Sequence, residues 1–210
     1  MNAPFPQPLT SIAAPLIVDN VDTDTIIPSR EIRSTGREGL ADGLFAPWRY
    51  SDADLRTENP DFVLNRSEHR GASILLGGAN FGCGSSREHA VWALREWGIR
   101  CVIAESFAPI FHGNCIRNGI VPIALGRADV ESLANARVMV DLKAREVNAL
   151  DMVLPFTLDT EAHLMLTHGL DAIDLTMTQA EAIEGWLATD RIARPWIYLV
   201  AAISPRGAGL

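Results

Sequence analysis

ASILLGGANFGCGSSREHAVWALREWGIRCVIAESF, residues 72–107, decides the fold. Its first ten residues, 72–81, are an apolar run that ends in glycines, the pattern of a buried strand. A helix follows over about 86–97. Ala90, Ala93, Leu94 and Trp97 recur at spacings of three and four and give it one apolar face. Gly98 stands where a C-cap glycine belongs. CVIAESF, 101–107, is a second, β-branched strand. Residues 108–119 read as helical or turn-like, and IVPIAL, 120–125, as a third strand. Strand, helix, strand at this spacing predicts a parallel βαβ unit in a sheet covered on both faces, hence an α/β fold.

Upstream, PLIV at 15–18 reads as a short strand leading into the acidic, turn-rich DNVDTDTIIP of 19–28. From Ser29 to about Arg70 the chain is polar and irregular, with Gly36, Gly39, Gly43, Pro47 and Pro60. That predicts a long excursion with short elements instead of a packed core layer, a kind of segment that usually serves function. Downstream, the pattern predicts a short helix at 129–136, strands near 138–142 and 153–158, and helices near 160–168 and 178–190. Thr178 with Glu181 fits a capping box at the start of the last.

The whole chain has 210 residues, enough for one large domain or a domain with an extension. Its formal charge of −8 argues against general nucleic-acid binding, which needs a basic surface. A few arginines in one pocket can still bind a small anion. The start, MNAPFPQPLTSIAAPLIV, has neither a basic region nor a sustained apolar core, so no secretory signal is expected. The apolar WIYLVAAI at 196–203 is far too short to span a membrane. Three cysteines, Cys83, Cys101 and Cys115, form no CxxC pair. Their odd number suits a reducing cytoplasm, and their spacing suits neither zinc nor an iron–sulfur cluster, so no metal is expected on this chain.

The turn before the helix admits two readings. Ser85-x-x-Glu88 fits a capping box, with Gly82 and Gly84 serving a tight bend. The same bend running into a helix N-terminus also presents unpaired N–H groups and positive potential, which is an anion site. Arg87 adds a planar fork for a carboxylate. A serine in that field is helped toward its alkoxide, which a serine base requires. A P-loop would need Lys where Ser85 stands, and the G-x-S-x-G nucleophile elbow is absent. A Cys83–His89 thiol pair is a further, weaker possibility.

NFGCGSSREHAVWAL at 80–94, taken with VDTDTIIPSR at 21–30, PDFVLN at 60–65, GIRCVIAESFAPIFHGNCIRNGIVPIAL at 98–125 and HGLDAIDLTM at 168–177, resembles the small-subunit family of 3-isopropylmalate dehydratases. That family is similar to the swivel domain of aconitase. The resemblance covers roughly residues 15–195. It implies a swivelling β/β/α fold, one swivel domain over 1–195 with a specificity excursion at about 29–70, and a C-terminal extension at 196–210. It implies a large-subunit partner that carries a [4Fe–4S] cluster, a small hydroxy-diacid substrate and a place in cytoplasmic leucine biosynthesis. The implied reaction interconverts 2-isopropylmalate and 3-isopropylmalate through 2-isopropylmaleate.

Matched by motif, Ser85 resembles the base that takes the proton next to a carboxylate. Arg87 resembles the carboxylate clamp, and Gly84 and Ser86 contribute to substrate binding. Asp24 resembles the acid that supports a histidine of the other subunit, although an Asx turn alone would also account for Asp22 and Asp24. The family reads the substrate's variable group in the region matching 29–40. Ile32 is expected to contact an isopropyl group, and Arg30, Arg33 and Arg37 receive no catalytic role. Many members carry Pro, Asp and Tyr where this chain has Val91, Pro109 and His112. Homoaconitase, citraconate and dimethylmalate dehydratase subunits share the turn and differ in the excursion. A non-catalytic anion-binding module would use the same turn.

Overall fold

A computed structural model describes residues 3–32, 36–52, 54–85 and 87–198. Chain contacts group it into two compact units, one running to Ala172 and one from Ile173. The first unit opens with strand β1 (Leu9–Leu16), which starts well before the expected position 15. After the one-turn helix α1 (Thr23–Ile26), the excursion holds α2 (Ala46–Arg49) and a small hairpin of β2 (Tyr50–Asp52) and β3 (Thr57–Glu58). Then come β4 (Ile74–Gly77), α3 (Glu88–Trp97), β5 (Cys101–Ala104), α4 (Pro109–Arg117) and β6 (Val121–Ala124). α5 (Arg127–Ser132) leads to a meander of β7 (Arg137–Asp141), β8 (Glu146–Ala149) and β9 (Met152–Pro155), and α6 (Thr160–His168) follows.

Among the described residues seven strands form one sheet in the order β6-β5-β4-β1-β7-β8-β9. The expected βαβ units are there: β1, β4, β5 and β6 pair in parallel. β1 is shared between two halves. Its second half, Ala13–Leu16, pairs in parallel with β4, and its first half, Leu9–Ile12, pairs antiparallel with β7. The sheet is therefore mixed, with parallel strands on one side of β1 and an antiparallel meander on the other.

Both faces of the parallel half are buried, which explains why its strands read as unbroken apolar runs. Leu75, Val102 and Ala104 point into a cluster with Ala90, Val91, Ala93 and Leu94 of α3 and Phe111 and Cys115 of α4. Their neighbours Ile74, Leu76, Cys101 and Ile103 point the other way, into a cluster with Val121, Ile123, Val130, Val138, Val140, Ala162 and Leu166. The period of two along each strand separates the clusters.

The excursion corrects the sequence reading. It contributes Leu40, Leu44, Phe45, Phe62, Val63 and Leu64 to the first cluster, all buried. Phe45 lies 5.7 Å from Phe62 and stacks parallel to Trp48 at 6.1 Å. Short 3₁₀ and α turns, with no helical or strand period, bring these side chains inward, so a search for periodicity passes over them.

The second unit contains α7 (Ala172–Met177), α8 (Ala180–Ala193) and a 3₁₀ turn at Pro195–Ile197. Asp190 is buried there and accepts hydrogen bonds from Arg194 Nε at 2.6 Å and Tyr198 Oη at 2.5 Å. The expected Thr178 cap does not form. Thr178 Oγ1 donates to Leu175 O at 2.6 Å and ends α7, and Gln179 is the N-cap of α8.

Candidate functional site

The turns that follow three adjacent parallel strands, β1, β4 and β5, are sewn to one another. This is the carboxyl edge of the sheet, where ligands bind in open α/β folds. Gly82 N–H donates to Val21 O at 2.7 Å, and Thr23 N–H donates to Cys83 O at 3.0 Å. Phe81 N–H donates to Ser106 O at 2.9 Å, and Ala108 N–H returns to Phe81 O at 3.0 Å. The glycine turn is therefore held from both sides.

Gly82 has φ +77°, and a Cβ there would fall inside the Phe111 ring. Gly84 has φ +83°. Only glycine takes such a bend at this packing without strain. The bend leaves Ser85 exposed, while the Ser85 carbonyl accepts a hydrogen bond from the hydroxyl of buried Thr23. Ser86 lies outside the described residues.

Of the two readings of the turn, the capping box does not form among the described residues. Arg87 is the N-cap of α3, and no side chain caps it. Glu88 Oε1 instead accepts from Asn118 Nδ2 at 2.8 Å. Ser85 is thus not spent on helix capping. His89 packs its ring edge-on against Trp92, 4.7 Å away on its own helix.

Arg87 and Asp24 meet. The guanidinium of Arg87 donates to Asp24 Oδ1 in an ion pair. The Asx turn is also present, but it belongs to Asp22, whose Oδ1 accepts from Thr25 N–H at 2.6 Å and caps α1. Asp24, two residues further on, is left for Arg87.

Arg87 lines a cavity of about 190 Å³ with Thr23, Gly82, Gly84, Ala108, Pro109, Ile110, Phe111 and Asn114. Asp24 lines a broader depression of about 470 Å³ with Asp22, Thr25, Pro28, Ser29, Arg30 and Pro47. The first cavity receives the N-termini of two helices, α3 at Arg87 and α4 at Ala108–Phe111. Both bring unpaired N–H groups and partial positive charge, so the cavity is electrostatically suited to an anion.

The sequence reading missed this second helix end and the Thr23 clasp. Pro109 at the first helical position signalled where α4 starts, but not that it faces the serine turn. Ile32 is placed elsewhere. It is half-buried and packs against the first core cluster, lining neither cavity.

The donor set of this chain does not fit an iron–sulfur cluster. Cys101 and Cys115 are buried, and burial raises both thiols, against the thiolate form that ligates metal. Among the described residues no group of three or more His, Cys, Asp or Glu could hold a metal ion. No helix among them is long and apolar enough to cross a membrane.

Comparison with known proteins gives the family. The aconitase C-terminal domain family matches residues 7–128. The 3-isopropylmalate dehydratase small subunit of Cupriavidus necator is 51% identical over 196 residues, covering 89% of this chain and 94% of that protein. The protein of the same name from Mesorhizobium japonicum is 48% identical, covering 90% and 96%. A crystal structure of 3-isopropylmalate dehydratase (leuD) from Methanocaldococcus jannaschii superposes with a TM-score of 0.64 at 26% identity, covering 85% of this chain and 98% of that one. A mixed sheet with a glycine turn at its carboxyl edge, and close similarity along nearly the whole chain, lead to one assignment: the chain belongs to the aconitase C-terminal domain family and, within it, to the small subunits of 3-isopropylmalate dehydratase.

Proposed function

We propose that this chain supplies the base and the carboxylate clamp of a hydro-lyase acting in leucine biosynthesis, which interconverts 2-isopropylmalate and 3-isopropylmalate through 2-isopropylmaleate. A large subunit completes the site in the cytoplasm. The observation that carries the reading is the exposed Ser85 between Gly84 and Arg87, both of which line a cavity fed by two helix N-termini.

A C–H next to a carboxylate is barely acidic. Removing its proton puts a second negative charge on that carboxylate, and preorganised positive groups must meet it as it forms. Arg87 grips the carboxylate with its fork. The first N–H groups of α3 and α4 face the same charge. Ser85 Oγ takes the proton, and the same field lowers the cost of its alkoxide. Gly84 lets the backbone approach the diacid, and Ser86 keeps the substrate-binding role that its motif implies. Asp24 holds Arg87 in place and, being half exposed, is available to a histidine of the large subunit. Bound to the large subunit, a [4Fe–4S] cluster supplies Lewis-acid help to the departing hydroxyl.

The reading is tested by reconstituting the full chain with its large subunit and comparing wild type with Ser85→Ala. Turnover of 2-isopropylmalate is expected to fall more than about a hundredfold with thermal stability unchanged, the usual size of an acid–base contribution. Near-normal turnover would remove Ser85 from the chemistry. Preference of the wild type for homocitrate-derived acids or dimethylmalate would keep the mechanism and change the substrate.

A further inference from the structure

We propose that Glu96 is a positioning residue that sets which diacid this site prefers, by fixing the excursion to the helix that begins at the carboxylate clamp. The inference rests on the functional reading above.

Glu96 lies on the last turn of α3. Its carboxylate accepts three successive backbone N–H groups from a segment more than fifty residues earlier. Oε1 takes Gly39 N–H at 2.7 Å, and Oε2 takes Leu40 N–H at 2.6 Å and Ala41 N–H at 2.8 Å. Gly39 has φ +79°, which turns its neighbours' N–H groups toward one point. Successive N–H groups in such a bend form an anion-binding nest, and here the anion belongs to the protein itself.

The tether leads to the region to which the family resemblance assigns specificity. Beyond it, buried Arg49 donates to Ala41 O at 2.7 Å and to Asp42 O, so the same segment is held from its other side. Leu40 is buried. Gly43 closes this turn and lies directly against Glu31, where a Cβ would come within 2.5 Å of Glu31 Cβ. Glu31 is buried, receives Arg56 at 2.5 Å, and immediately precedes Ile32. A run of direct contacts thus joins Glu96 to the segment expected to read the substrate's variable group.

The other end of α3 begins at Arg87. Nine residues of helix separate the two, about 14 Å at 1.5 Å per residue. One rigid element therefore fixes the spacing between the carboxylate clamp and the specificity segment. Loss of the tether should loosen recognition and leave proton transfer at Ser85 intact. Glu96 touches neither cavity associated with Arg87 or Asp24, which distinguishes it from the reacting groups.

The experiment uses the full chain reconstituted with its large subunit, as wild type, Glu96→Gln and Glu96→Asp. It reads amide hydrogen exchange at residues 39–41, and kcat and KM for 2-isopropylmalate and for 2-methylmalate, a diacid with a smaller side group. In Glu96→Gln, exchange at 39–41 should accelerate at least tenfold. KM for 2-isopropylmalate should rise three- to tenfold with kcat within twofold, and the kcat/KM preference between the two acids should shrink by a similar factor. Glu96→Asp keeps the charge and should recover part of each change. Unchanged exchange, or faster exchange with KM and preference intact, overturns the inference, as does a fall in kcat at constant KM. If wild type prefers another diacid, the substrate in the functional reading changes, and this inference is judged on the preference between the two best acids. Turnover of no diacid by wild type overturns both together, and that outcome is recognisable because it appears without any substitution.

Discussion

Arg87 and Asp24, 63 positions apart in the chain, form an ion pair across the turns that follow β4 and β1. Arg87 is mostly covered and Asp24 about half exposed, with side-chain exposures of 23% and 54%. A pair this open contributes about 0–1 kcal/mol to stability. Its consequence is placement: it holds a guanidinium fork at the mouth of a cavity that two helix N-termini make positive.

Arg87→Lys separates placement from charge. Lysine keeps the cation and loses the fork that matches a carboxylate. Reconstituted with the large subunit, the variant is expected to lose about 10- to 100-fold in kcat/KM, as misplacement of a bound substrate costs. Most of the loss should appear in KM, with stability changed by less than about 1 kcal/mol. Steady-state kinetics and a denaturant melt decide it. An unaltered KM would show that Arg87 does not hold the diacid.

Gly82 and Gly98 both have positive φ, at +77° and +111°, but meet different surroundings. A Cβ on Gly82 would enter the Phe111 ring, while one on Gly98 would meet nothing within 4 Å. Gly98→Ala should therefore cost only the left-handed backbone penalty, roughly 1–2 kcal/mol. Gly82→Ala adds overpacking to that penalty and should cost roughly 2–5 kcal/mol. Equal losses in urea melts would mean that the Phe111 ring moves aside freely.

The parallel half of the sheet was legible because burial on both faces makes its strands continuous apolar runs, and because Gly98 closes α3 as read. The N-terminal half of β1 was not. Its pairing with β7 joins residues more than a hundred positions apart, and no local pattern encodes that. β8, EVNA, was missed for its brevity: it alternates half-exposed and buried positions, but four residues are too few for that alternation to stand out. At the site, Ser85, Arg87 and Asp24 are named from their motifs, and the structure pairs two of them, Arg87 with Asp24. Thr23 and the start of α4 escaped, because their part is played across strand ends. The capping box failed because Glu88 has a better partner in Asn118, thirty residues on.

Both buried clusters lie between Phe5 and Leu166, and the chain's contacts divide after Ala172. The first unit therefore has a complete core of its own. A chain ending at Ala172 is expected to unfold in one cooperative step, with a midpoint within a few degrees of the full-length protein. Calorimetry of the two chains tests this. A broad, non-cooperative transition in the shorter chain would show that residues from 173 onward complete the core.

His112 gives stability a pH dependence whose sign is fixed by its surroundings. It sits half-buried on α4, 5.8 Å from the Phe107 ring. Burial lowers its pKa below the ordinary 6.5, and the charge of Asp159 opposes the shift in part. The folded chain thus favours the neutral ring, while the unfolded chain takes up the proton at the ordinary value. Above about pH 6.5 both states are neutral at this position and its contribution is whole. As the pH falls below 6.5 the unfolded state binds the proton first, so stability drops until the folded pKa is passed. His112→Phe removes the titration and keeps an aromatic ring beside Phe107. The difference in melting temperature between pH 7.5 and 5.5 should therefore be smaller in the variant than in wild type, with carboxylates contributing equally to both. Parallel pH profiles for the two proteins would show that the imidazole is solvated as freely in the folded chain as in the unfolded one.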